Sequence, residues 1–317
     1  MTALLTTSYT VDPWDPSYGV ALGDEPDGNA ASTARLDLDV ELPSSSWKPL
    51  WPSRSVLLPA AVLFLDGVRR IDARVWVHGS SAQPVPGVAA SLAAGLVSCD
   101  GAARIVDVRV DRGLYTAESS AAPLVTRHGS YVPRRAKPGI DELSLAVQRR
   151  LAELEVELAV SWRSWTGSDD DLLVTDGPLH GRGHLPRTVG YVKTHDKAYL
   201  DGPQAAVVSA LAPGQRTPVF AMTTSWRRHS WYLRLPTTAT SPWSGVVRLE
   251  CSADLDPDTT LDLADLTALV LPSFASAPHK DPRAPQNLVP IGGLEHQLRH
   301  RLGDAALLYR ALRSATT

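Results

Sequence analysis

Hydrophobic and polar positions change period several times along the chain. Residues 56–65 are almost continuously apolar and end at Asp66-Gly67, which predicts a buried central strand closed by a turn. Ile71, Ala73, Val75 and Val77 then alternate with polar residues, so a half-buried partner strand is expected and the two read as a hairpin. Further strands are expected at 87–98 and 104–110, joined by a turn at Asp100-Gly101. The segment DELSLAVQRRLAELEVELAV sets Val147, Leu151, Leu154 and Leu158 at helical spacing behind Asp141 as N-cap, and the polar GSDDD ends that helix.

Beyond it, LLVTDG (172–177) is a second short apolar run ending in Asp-Gly, and TVGYVK (188–193) reads as another strand, with the polar loop PLHGRGHLPR between them. Strands follow at 217–222, 230–235 and 245–251, and helices near 261–271, 294–301 and 304–313. Antiparallel strands, a helix, a strand and then mixed elements predict an α/β protein with a mixed sheet rather than a regular βαβ array.

Composition adds bounds. The 317 residues suit two domains or one elaborated domain, and a net charge of −3 excludes a uniformly basic nucleic-acid coat while leaving room for local basic patches. The N-terminus lacks the pattern of a signal peptide and the longest apolar run is far below membrane-spanning length, so no membrane segment and a cytoplasmic location are expected. The first fifty residues are rich in Pro, Ser, Asp and Gly around Trp14, Trp47 and Trp51, which predicts an irregular arm over 1–55 that docks by its aromatics against a domain at 56–317. Cys99 and Cys251 are too far apart for a metal knuckle and read as buried free thiols. Phosphate-loop, dinucleotide, nucleophile-elbow and zinc-helix motifs are absent from the sequence, so any chemistry must be assembled from distant residues.

Of the Asp-Gly pairs along the chain, tight turns explain Asp100 and Asp201. Asp66 and Asp176 differ in ending apolar strands, where α/β sheets present ligand-binding groups. A third carboxylate is expected from the intervening helix. Of Glu153, Glu155 and Glu157, only Glu155 lies both four residues after Leu151 and three before Leu158, bordering the apolar stripe. Asp66, Glu155 and Asp176 would offer hard oxygen ligands for Mg²⁺ or Mn²⁺, and two such ions suit phosphodiester hydrolysis. The order of strands and carboxylates resembles the ribonuclease H-like nuclease fold.

FLDGVRR (64–70), LLVTDGPLHGRGHLPRTVGYVKTH (172–195), PHKDPRAPQNLVPIGGLEHQLRHRLGD (278–304) and LLYRALR (307–313) together resemble the NurA family of nucleases, in a bacterial branch, over roughly 56–313. The resemblance implies a ribonuclease H-like core with C-terminal helices. It further implies a metal-dependent DNA nuclease that cuts single strands and resects duplex ends, working as a homodimer with a HerA-type hexameric ATPase in repair or defence. It assigns the metal to Asp66, a helical Glu taken here as Glu155, and Asp176, and matches Lys193 to a family lysine at the scissile phosphate. A family Tyr is replaced by Val289, and the following family His falls at His296, a group able to assist a metal-bound water or the leaving oxygen.

Positive charge is grouped at Arg134, Arg135 and Lys137, at Arg182, His184 and Arg187, at Lys193, His195 and Lys197, and at Arg227, Arg228 and His229. Because two of these groups flank Asp176, Arg182, Arg187 and Lys197 are expected to contact DNA phosphates. SWRRHSWYLR (225–234) interleaves Trp226, Trp231 and Tyr232 with Arg227 and Arg228, as a single-strand stacking groove does and as a half-buried strand also does. The alternative to a nuclease is an inactive adaptor that clamps DNA for a hexameric motor, a reading favoured by Val289.

Overall fold

A computed structural model describes residues 34–78, 83–167, 170–194, 198–238 and 241–315. Trp14, His195 and Lys197 lie outside the described residues. The strands, in chain order, are β1 (Arg35–Asp37), β2 (Ala61–Val77), β3 (Val85–Cys99), β4 (Ala103–Thr116), β5 (Leu124–Thr126), β6 (Gly129–Arg135), β7 (Asp171–Asp176), β8 (Thr188–Val192), β9 (Phe220–Thr223), β10 (Arg227–Arg234) and β11 (Val246–Ser252). The helices are α1 (Ile140–Thr166), α2 (Gly202–Ser209), α3 (Pro257–Val270), α4 (Val289–Arg301) and α5 (Ala305–Ala315). The fold is therefore mixed α/β, and its contacts divide it into two compact units: residues through Pro59 with Gly177–Val289, and Ala60–Asp176 with the chain from Pro290.

In the second unit the strand order is β7-β2-β3-β4-β6-β5. β2, β3 and β4 form an antiparallel meander, whereas β7 runs parallel to β2 and β6 parallel to β4. Because strand side chains alternate between faces, each face can be assigned from a few contacts. Arg69 donates to Gln148 of α1 and Asp111 accepts from Arg150 of α1, so the odd-numbered positions of β2 near residue 67 and of β4 near residue 111 face α1. Arg70 and Arg112 instead donate to the carbonyl of Leu302, and Leu114 clusters with Leu312, which places α4 and α5 on the other face.

The expected hairpin is corrected here. β2 does not stop at Asp66-Gly67 but runs unbroken for 17 residues, and its antiparallel partner is β3, in register from Val62↔Cys99 to Val77↔Val85. Gly67 is a mid-strand glycine, present because α1 packs so closely that a Cβ there would lie 2.7 Å from Leu151 Cδ1. The run also starts later than its apolarity suggests, since Leu57 and Leu58 are 84% and 65% exposed. A bulge between Ile71 and Ala73 breaks the alternation and turns Asp72 inward, where it accepts from Arg70 Nε at 2.7 Å and Tyr131 Oη at 2.9 Å.

α1 begins at Ile140 with Gly139 as its N-cap, so Asp141 lies in the first turn, where its charge complements the helix dipole, rather than at the cap. Gly167 closes the helix in the left-handed conformation at φ 62°. Its buried side includes Val147, Leu154 and Leu158, as the spacing predicts, but also Glu155 and Arg163, the latter ion-paired with buried Asp171 at the start of β7. Asp201 caps α2 instead of making a tight turn, and β1, α2, β5 and β6 have no counterpart in the sequence reading, which made residues 1–55 an irregular arm.

In the first unit the order β1-β9-β10-β11-β8 is antiparallel throughout. The described part of the arm docks partly through Trp47, which packs on Phe220 with ring centroids 5.9 Å apart, and partly by other means. β1 extends the sheet beside β9, and Glu41 takes a forked pair of hydrogen bonds, 2.7 and 2.9 Å, from buried Arg216. Trp51 is 67% exposed. Among the described residues no helix is long and apolar enough to cross a membrane. Cys251 is buried and Cys99 half-buried, and both are free.

Candidate functional site

The parallel ladder between β2 and β7 pairs Ala61 with Asp171 and continues to Leu65 with Thr175. Asp66 and Asp176 are the next residue on each strand, directly after the last pair of the ladder, and strand alternation turns both toward the same face. Hydrophobic pressure fixes this register, because Leu63, Phe64, Leu65, Leu172, Leu173 and Val174 are all essentially fully buried. Asp66 is itself 9% exposed and accepts the Gly67 N–H at 2.7 Å, while Asp176 is half-buried.

Among the three helical glutamates, burial follows the spacing. Glu155 is 6% exposed, and its Oε1 occupies the space that a Cβ on Gly67 would need. The Glu153 and Glu157 side chains are 63% and 48% exposed and both pair with Arg150, Glu157 accepting at 2.6 Å. Glu155 is therefore the acidic group that α1 lays directly on β2, beside Asp66 in sequence. It approaches from the α1 face, whereas the ladder partner of Asp66, Gly95, faces Leu294 and Leu298 of α4. The carboxylates reach one stretch of β2 from opposite sides, and among the described residues no group of three His, Cys, Asp or Glu is gathered to hold a metal.

His296 lies on the exposed side of α4, whose inward stripe is Ile291, Leu294 and Leu298. The acidic group closer to that stripe is Glu295, 16% exposed at its side chain and accepting from Arg299 at 2.6 Å. Sequence reading passed over Glu295; its position four residues after Ile291 was the available signal. Val289 opens α4 and is 54% exposed.

In the first unit, Lys193 Nζ donates to Asn287 Oδ1 at 3.0 Å, and Asn287, fully buried, donates in turn to Asp281 at 2.6 Å. Tyr191 donates its hydroxyl to the Gln286 carbonyl at 2.7 Å. The segment 281–287 thus sets the position of Lys193, a role hidden from any linear motif because 94 residues separate the pair.

Two basic groups separated in sequence meet in this unit. The loop after β7 is tied to the ends of β10 and β11: Leu179 N–H donates to Glu250 at 2.5 Å, His180 meets Trp226 edge-on at 5.8 Å, and Gly183 lies against Ser252. Arg182, half-buried, donates to the Pro178 carbonyl at 2.9 Å, and Arg187 holds a left-handed φ of 42°, a strained state for a non-glycine residue. Arg227 is exposed beside them.

Arg228 does not fill the DNA-contact role expected of it. It is 4% exposed, pairs with fully buried Glu250 at 3.0 Å, and stacks its guanidinium 4.5 Å from the Trp226 ring, so it supports an aromatic platform from below. Burial pulls Arg228 below its usual range, with Glu250 opposing that shift. Arg248 joins the same carboxylate at 2.7 Å. Trp231 and Tyr232 are core residues, leaving half-buried Trp226 as the aromatic of this segment that reaches solvent.

No protein-family model matches the chain, and no curated protein matches it significantly.

Proposed function

We propose that this chain is a divalent-metal-dependent deoxyribonuclease with a ribonuclease H-like core, working as a homodimer with a HerA-type hexameric ATPase in the processing or destruction of DNA ends. The observation that carries this reading is the shared register of Asp66 and Asp176 on adjacent parallel strands, with buried Glu155 laid against the residue after Asp66. The order β4-β3-β2-β7, a three-stranded meander followed by a helix and a strand parallel to the first, agrees with the strand order expected of such a core.

The donor set fits Mn²⁺ or Mg²⁺, because carboxylates are hard oxygen ligands and the two aspartates stand side by side. Asp66 and Asp176 would hold the ions, which when bound would activate water and neutralise phosphate charge, whereas Glu155 stands on the face of β2 opposite Asp66. Lys193, fixed by Asn287, and the cationic Arg182, Arg187 and Arg227 supply phosphate contacts that position a strand without reading its sequence. His296 stands exposed on α4. Tyr191 is committed to the Gln286 carbonyl, so its hydroxyl has a structural task in place of the one a phenol at 289 would perform.

A second reading, a DNA-clamping adaptor without cleavage, is favoured by one observation: Asp66 and Glu155 approach β2 from opposite faces. Incubation of the purified chain with single-stranded and blunt duplex DNA, with Mn²⁺, Mg²⁺ or chelator and with its ATPase, separates the two. A nuclease degrades DNA only with metal and loses this in Asp66→Ala and Asp176→Ala. An adaptor binds DNA regardless of metal and leaves it intact in every variant.

A further inference from the structure

We propose that the second unit carries a binding pocket for a phosphate-bearing ligand, separate from the carboxylates, in which Lys137, Arg135 and Arg149 form a cationic rim and Tyr115 and Arg134 a donor floor. The pocket has a volume of about 630 Å³, within the range of small-ligand sites. It opens between the ends of β4 and β6 and the first half of α1, and it is bounded by five cationic side chains and one acidic residue, Glu153.

The charges are not balanced internally. Asp111 accepts from Arg134 and Arg150 at 2.7 and 2.8 Å, Arg150 also takes Glu153 and Glu157, and Arg149 stands 3.9 Å from Glu142. Arg135 and Lys137 form no ion pair among the described residues and both are exposed. A surplus of cations on a convex face would be ordinary solvated surface; here it lines a concavity.

The floor points to a ligand independently of the charge. Tyr115 is 1% exposed, and its hydroxyl is buried with no hydrogen-bond partner; Arg134 Nε is in the same condition. Buried hydroxyls are satisfied in the large majority of cases, so a pair of orphaned donors at one pocket floor calls for an acceptor from outside. Burial pushes the Tyr115 hydroxyl well above its ordinary range, which keeps it protonated and therefore a donor. The ring is seated on Gly113, where a Cβ would lie 2.6 Å from Tyr115 Cε2, so a glycine at that position leaves room for the ring. Guanidinium, ammonium and phenol groups offer many donors against few acceptors, the chemistry that selects phosphate oxygens. A diphosphate or a segment of strand backbone both meet it.

The test uses the full chain and two probes, inorganic pyrophosphate followed by calorimetry and a fluorescein-labelled ten-residue oligothymidylate followed by anisotropy. Wild type is compared with the double variant Lys137→Glu/Arg149→Glu and with Tyr115→Phe, with thermal melting as the folding control. The pocket predicts saturable binding of at least one probe, weakened tenfold or more in the double variant and threefold or more in Tyr115→Phe, at an unchanged melting temperature. Loss confined to pyrophosphate identifies a free di- or triphosphate as the ligand class, and loss confined to the oligothymidylate identifies strand backbone. Binding of neither probe by wild type, or equal binding of both by all three proteins, overturns the proposal. Because neither readout involves cleavage, the outcome is independent of whether the chain is a nuclease.

Discussion

The carboxylate of Glu155 lies where the side chain of any residue but glycine at position 67 would have to begin. A helix acid and a strand glycine 88 positions apart therefore share one small space, and a side chain at 67 would have to displace the Glu155 carboxylate. Gly67→Ala would drive a methyl group into Glu155 and Leu151 and should cost about 1–3 kcal/mol of overpacking. Urea unfolding of the variant checks this; stability equal to wild type would mean that α1 stands further from β2.

The same relationship separates the three glutamates functionally. If the chain cleaves DNA and Glu155 joins the two aspartates when metal binds, Glu155→Gln should lower the Mn²⁺-dependent rate by about a hundredfold or more, while Glu153→Gln and Glu157→Gln, exposed and paired with Arg150, should stay within about threefold of wild type. Rates measured on one labelled oligonucleotide decide it, and equal losses in all three would remove Glu155 from its assigned place.

Arg228 and Arg248 share a single buried carboxylate. Replacing Glu250 by Ala leaves two buried guanidiniums without a counter-ion and also orphans the Leu179 N–H, so a loss of about 3–5 kcal/mol is expected. The loop carrying His180 and Arg182 should loosen as well, visible as faster amide exchange over 178–185. Glu153→Ala, on the surface, serves as the comparison and should change stability little.

Trp226 is held between the Arg228 guanidinium and the edge of His180. Should single strands stack there, Trp226→Ala would weaken binding of an oligothymidylate by about 1–3 kcal/mol and Trp226→Phe by less. Blunt duplex binding should be almost unaffected, since its bases are not available to stack. Anisotropy titrations at one salt concentration check both, and an equal loss for the two substrates would point to a folding defect instead.

Burial pushes the Cys251 thiol up to about 12, with Thr260 lowering it and Glu250 raising it further. Its folded value thus exceeds the ordinary 9.0, so its contribution to stability is complete below pH 9 and is lost as pH rises toward 12. Stability measured by urea unfolding between these limits should fall with pH, and the slope should be shallower in Cys251→Ala. Identical slopes would mean that the thiol ionises equally in both states.

Much of the architecture could be read from the linear pattern. The period of Val147, Leu151, Leu154 and Leu158 located α1 and its inward side, and the two apolar runs before Asp66 and Asp176 located adjacent strands. Those signals are local and depend on burial, which composition encodes directly. The Asp66-Gly67 pair misled for a physical reason: glycine serves both a turn and a close helix approach, and only the position of Leu151 and Glu155 over β2 tells which applies.

Sequence by itself determined the α/β class, the two buried strands that lead into Asp66 and Asp176, and the helix that carries Glu155 toward its apolar side, because each follows from hydrophobic periodicity. Tertiary structure alone decided that Asp66 and Glu155 flank β2 from opposite faces, and that Asn287 holds Lys193. It also buried Arg228 beneath Trp226 and left Tyr115 and Arg134 with donors unmet at a cationic pocket. Those facts depend on which face meets which helix and on pairings across tens of residues, and no local pattern of apolar and polar positions carries that information.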